Sequence, residues 1–149
     1  MEQSDQLSFR PFNSSDDSPG PHLQLLRDNQ PFGEPLKGAL IEAQYQVDEQ
    51  RHLLFVTDDV PYEETLRLYL INRDAEILDS LEFGGYLATG ALEDLHIVDK
   101  QTIEFSFIHL KRCRLTVKDE SGWEKPLAVT PGVRRPGGIR KRYLALNFV

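Results

Sequence analysis

The chain has one cysteine, one methionine and one tryptophan in 149 residues. A lone thiol, Cys113, closes no intrachain disulfide and excludes a zinc site built from several cysteines. Apolar runs are short, and none approaches the ~20 residues that a membrane-spanning helix requires. The opening residues, Met1-Glu2-Gln3-Ser4-Asp5-Gln6, carry neither the basic nor the apolar stretch of a secretory signal. Together these absences make the reducing cytoplasm the expected compartment. Also missing is any run of about 10–15 residues with helical period between strand-like segments, which argues against parallel βαβ units.

Catalytic and cofactor signatures are equally scarce. Gly85 and Gly90 have the glycine spacing of a phosphate loop, but Ala91-Leu92 follow instead of the Lys and Ser/Thr that contact phosphate and Mg²⁺. Neither a G-x-S-x-G elbow nor an H-E-x-x-H helix occurs. The four histidines are scattered. One of them, His109, continues the face of Ile103, Phe105 and Phe107, where a titratable ring is a candidate general base. The turn around Asp58, Asp59, Glu63 and Glu64 gathers oxygen donors of the kind Ca²⁺ takes. It lacks the glycine and alternating ligand spacing of a calcium loop, and Pro61 stiffens its middle. No metal and no cofactor is expected from these patterns. Cys113 lies between Arg112 and Arg114, which would favour a thiolate. Its parity with Leu115 and Val117 instead turns the sulfur inward, as a structural cysteine.

What the sequence does contain is strand alternation. In Gly38–Val47 the apolar positions Ala39, Ile41, Ala43, Tyr45 and Val47 alternate with polar ones, and alternate side chains of a strand point to opposite faces. Comparable segments follow at 51–57, 63–71 (Leu66, Leu68 and Leu70 on one face) and 76–83 (Ile77, Leu81 and Phe83). Others span 92–98, 102–110, 113–118, a weaker one near 127–130, and 143–149. Short polar turns separate them. Two of these segments echo each other, Tyr45-Gln46-Val47-Asp48-Glu49-Gln50 and His96-Ile97-Val98-Asp99-Lys100-Gln101, and are expected to form similar hairpins. About eight or nine short strands of this kind predict an antiparallel β-sandwich or barrel over residues 36–149. Residues 1–35 carry five prolines and the polar run Asn13–Ser18, and are expected to form an extended, mobile arm. Within it, His22–Arg27 is suited either to one helical turn or to docking on the domain or a partner.

Charge is unevenly placed. Seventeen Lys and Arg face 24 Asp and Glu, a net of −7. From Arg134 onward there are five cations, Arg134, Arg135, Arg140, Lys141 and Arg142, and no carboxylate side chain; removing them leaves 12 against 24, a net of −12. An acidic body repels nucleic acid and anionic membranes, whereas a compact basic segment can attract either, or an acidic protein, or can satisfy acidic patches of its own domain; the acidic body favours the protein partner over nucleic acid. The expected function is therefore a non-enzymatic interaction module, of adaptor or toxin-neutralising type. It would bind a protein partner through a sheet edge, the basic loop or the N-terminal arm. The alternative is a small barrel acting on a small ligand, with His109 and Asp58/Asp59 as its polar groups.

Overall fold

The computed structural model describes residues 1–13, 20–60, 63–84, 91–107, 112–124 and 132–149. Its strands are β1 (Glu2–Gln3), β2 (Leu7–Phe12), β3 (His22–Arg27), β4 (Gln30–Pro31), β5 (Leu36–Lys37), β6 (Leu40–Gln46) and β7 (Arg51–Thr57). They continue with β8 (Thr65–Asn72), β9 (Ile77–Gly84), β10 (Leu92–Ile97), β11 (Thr102–Phe107), β12 (Cys113–Gly122), β13 (Val133–Arg134) and β14 (Arg142–Phe148). No described residue is helical, so no helix is long and apolar enough to cross a membrane. All pairings are antiparallel and make three sheets. The large sheet runs β1-β6-β7-β8-β9-β13, a second runs β10-β11-β12-β14, and a third is built on β3, with β2 on one side and β4 and β5 on the other.

The large sheet is the middle layer. Its strands β7 and β8 place Leu53, Phe55, Leu66, Leu68 and Leu70 against Phe105, Phe107, Leu115 and Leu144 of the second sheet. The intervening residues Leu54, Val56, Tyr69 and Ile71 pack on Leu7, Leu23, Leu25 and Leu36 of the third. Burial on both faces explains why Leu53-Leu54-Phe55-Val56 is a continuous apolar run rather than an alternating one. The first interface is filled by a row of rings, with Phe55–Phe105 and Phe83–Phe105 meeting edge to face at 5.3 and 5.7 Å.

The segment expected to be an arm supplies the third sheet. Leu23 and Leu25 are wholly buried, and Gln24 between them donates to the Leu25 and Gly33 carbonyls. The prolines are accommodated because Pro11 lies on the edge strand β2 and Pro31 on the short outer strand β4, where a missing donor breaks no inner ladder. At the corner between β1 and β2, the Gln44 amide donates to the Leu7 carbonyl and accepts from its N–H, in the manner of one more strand residue. Asn13–Ser18 falls mostly outside the described residues, as do 127–130 and His109.

Two bulges change the expected faces. Ile41 pairs with Val56 but Ala43 with Phe55, so Glu42 is the extra residue. Ile41 therefore packs towards the third sheet and Tyr45 towards the second, on opposite faces instead of one. In β9, Leu70 pairs with Asp79 and Ile71 with Ile77, so Leu78 is extra. Ile77 turns out to solvent while Asp79 takes the inward row with Leu81 and Phe83.

Leu25→Ala should cost about 2–5 kcal/mol in chemical denaturation, as much as Leu68→Ala in the middle sheet. A negligible loss at Leu25 would show that residues 1–37 do not pack as an integral layer. Cys113 is fully buried, and burial pushes its thiol up to about 12 against the opposing charge of Arg112. A thiol reagent at about pH 8 should label it only on unfolding, since the thiolate is the reactive form.

Candidate functional site

The basic loop is organised by one buried carboxylate. Asp79 is wholly inaccessible on β9. Its Oδ1 accepts from Arg142 at 2.9 Å and from the Ser80 N–H at 2.8 Å. Its Oδ2 accepts the Tyr143 and Leu144 N–H groups at 2.8 and 2.9 Å. Arg142, with its side chain 3% exposed, also donates to the carbonyls of Pro136 and Gly138, which closes the loop around it. A buried charge is tolerable only when paired and fully hydrogen-bonded, and both members meet that condition here.

The five cations read from the sequence therefore divide. Arg142 is a structural residue inside the loop. Arg135 is half-buried, donates to the Leu144 carbonyl, and has its pKa lowered by burial. Arg134 is ion-paired with Glu82 and Arg140 donates to the Leu78 carbonyl, yet both guanidinium groups remain partly exposed. Lys141 is exposed with no ion pair among the described residues. Sequence parity already carried a signal for Asp79, since it falls in the apolar row of Ile77, Leu81 and Phe83.

Beside this loop lies a groove of about 270 Å³. The third sheet is narrower than the middle one and stops at β5, so the face of β8 and β9 beyond it is uncovered. The groove runs between Pro35, Leu36 and Lys37 on one wall and Pro136 of the basic loop on the other. Tyr69 forms part of its floor and donates from its hydroxyl to the Lys37 carbonyl at 2.9 Å. Burial pushes that phenol up to about 12. Deeper in, Arg67 pairs with Asp58 at 2.5 Å and with Glu82 at 3.3 Å, and Glu82 in turn holds Arg134. Burial alone would raise the Glu82 carboxyl, but the Arg134 hydrogen bond and the Arg67 charge outweigh it and leave the pKa below the ordinary range.

The acidic turn at 57–64 is thus largely committed to the fold. Asp58 holds Arg67, and buried Glu64 accepts the Asp58 and Thr65 N–H groups. Asp59 is exposed in a left-handed conformation, with φ of 58°. A separate polar cluster, Glu104 with Arg112, Arg114 and His96, lies on the second sheet. Sequence alternation had not pointed to Arg67, Tyr69 or Glu82, because the face they occupy reads as solvated until the third sheet is placed. No family, curated protein or solved structure matches the chain.

Asp79→Ala should destabilise the fold by about 3–5 kcal/mol, because it strands the Arg142 charge in the interior. An unfolding midpoint unchanged from wild type would remove Asp79 as the organiser of the loop.

Proposed function

We propose that this chain is a non-enzymatic, cytoplasmic interaction module, of adaptor or toxin-neutralising type. It receives an extended acidic segment of another protein in the groove between β5 and the 133–142 loop. The observation that carries this reading is the character of the groove's rim. Exposed Ile77 lines the groove, and Arg140 of the basic loop is tied to Leu78 on β9, the residue after Ile77; Ile139, which precedes Arg140, is almost fully exposed. Lys37 lines the groove, and the loop beside it carries the exposed Lys141 and the partly exposed Arg134 and Arg140; neither lysine has an ion pair among the described residues. An apolar anchor surrounded by same-sign charge suits a partner that brings one large apolar side chain among carboxylates. The acidic remainder of the chain disfavours nucleic acid and anionic membranes.

The alternative of a ligand-holding barrel has less support. The space between the middle and second sheets is filled by edge-to-face phenylalanines, and Asp58 is spent on Arg67.

The double variant Lys37→Glu with Lys141→Glu alters exposed side chains and should leave stability nearly unchanged. Affinity capture from the native host with wild type and variant, read by mass spectrometry, should yield a partner that the variant fails to retain. Association with that partner should slow in the variant and lose its salt dependence, because steering is screened by ions. Equal kinetics for both proteins would overturn the proposal, as would salt-sensitive binding of mixed-sequence DNA or RNA by the wild type.

A further inference from the structure

A second concavity, of about 360 Å³, lies at the opposite end of the seam between the third and middle sheets. Three tight turns meet there. The β3–β4 turn begins at Arg27, the β6–β7 hairpin brings Gln46, Glu49 and His52, and the β8–β9 turn brings Arg73. Each turn is locally fixed. Asp28 and Asn29 both adopt left-handed φ, of 51° and 63°. The Asn72 side chain accepts the N–H groups of Asp74 and Glu76. Gly33, at φ of 79°, lies so close to Ala75 that a Cβ there would come within 2.4 Å of it, which seats the Arg73 turn against the third sheet.

The charges in this concavity are unusual for the molecule. Arg51, Arg67, Arg112, Arg114, Arg134, Arg140 and Arg142 each lie within ion-pairing distance of a carboxylate. Arg27 and Arg73 have no such partner among the described residues, although the chain carries a net of −7; Arg27 only stacks over the Phe32 ring at 5.4 Å. Between them His52 has its Nε2 buried without a hydrogen-bond partner. Arg27, Arg73 and His52 line one polar concavity together, and among the described residues Glu49 is the only carboxylate that lines it.

We infer that this seam binds a phosphate group, held by Arg27 and Arg73 with His52 as a third donor. A guanidinium offers paired N–H groups in the fork that matches two oxygens of a phosphate. The imidazole would supply a further N–H once protonated. Facing His52 are Arg27 and Arg73, which oppose its protonation, and Asp48 and Glu49, which favour it; Asp48 is itself paired to Arg51. Burial and the Arg27 charge hold the ring below its ordinary value in the empty site. A bound dianion reverses that balance, so the ring's pKa rises on binding and affinity strengthens as pH falls. This site is independent of the groove beside the basic loop.

The test is a titration of the full chain with inorganic phosphate at ionic strength held constant with chloride, followed by backbone and His52 ring NMR signals. Saturable shifts should centre on residues 27, 52 and 73. Arg73→Gln, in an exposed turn, should weaken binding roughly tenfold to a hundredfold with the fold intact, as losing a charged hydrogen-bond donor does. Arg27→Gln should do the same. Saturation with sulfate, whose charge is constant over the range, should raise the His52 ring pKa. Tighter binding of O-phosphoserine than of inorganic phosphate would assign the site to a phosphate ester, and the reverse order to the free anion. Shifts no larger than chloride alone produces, or phosphate affinity unchanged in both arginine variants, would overturn the inference.

Discussion

Burial of the middle sheet on both faces constrains everything else in this molecule. A strand covered on one side can alternate, but β7 must satisfy two cores with consecutive residues, and Leu53-Leu54-Phe55-Val56 does so. Neither face closes without its own covering sheet. The second sheet contributes Phe105, Phe107, Leu115 and Leu144, and the residues before Gly38 contribute Leu7, Leu23, Leu25 and Leu36. At about 25 cal/mol per Å² of buried apolar surface, leaving Leu54, Val56 and Ile71 in water would forfeit several kcal/mol. That penalty is what turns a proline-rich leader into a folded layer.

Asp79 solves the second problem, which is how the chain gets from the middle sheet to β14. Regular alternation along β9 puts this carboxylate into the apolar row of Leu81 and Phe83, where it would be intolerable alone. Its oxygens are met by Arg142 and by three backbone N–H groups at 80, 143 and 144. The result fixes the start of β14 against β9 and folds the 135–142 loop around a guanidinium. Two of the five cations that look available in the sequence, Arg142 and Arg135, are drawn into the loop, and Lys141, Arg140 and Arg134 stay at the surface.

Much of the architecture was legible because alternation reports which face is covered. Leu66, Leu68 and Leu70 lie on one buried face as their spacing requires, and Cys113 points inward with Leu115 and Val117. The echoed turns are also alike in detail: Gln50 N–H donates to Asp48 and Gln101 N–H to Asp99, each at 2.9 Å. Alternation failed at Ile41 and Ile77, since a bulge shifts parity without changing composition. The N-terminal layer was hidden for a different reason. Among its described residues only four apolar side chains, Leu7, Leu23, Leu25 and Leu36, are buried, and the local composition, with its prolines and polar run, says nothing about the apolar face waiting for them. The groove residues Arg67, Tyr69 and Glu82 were hidden with it, because their setting exists only once that layer is in place.

A narrow sheet laid on a six-stranded one necessarily leaves strips of the wider sheet uncovered, and both concavities of interest lie along such margins. The two margins are finished differently. Beside β5 the polar floor is internally matched, with Asp58, Arg67, Glu82 and Arg134 linked in alternating charge. Such a floor offers a ligand little, so in the proposed docking recognition would fall to exposed Ile77 and Lys37 and to the adjoining basic loop. At the other end Arg27 and Arg73 line a shared space with no carboxylate paired to either among the described residues, and His52 holds a buried nitrogen without a partner among them. A matched network stabilises the fold as it stands. An unmatched one leaves electrostatic energy unrealised until a counter-charge arrives, and that difference is why the first margin is proposed to dock a protein and the second to hold an anion.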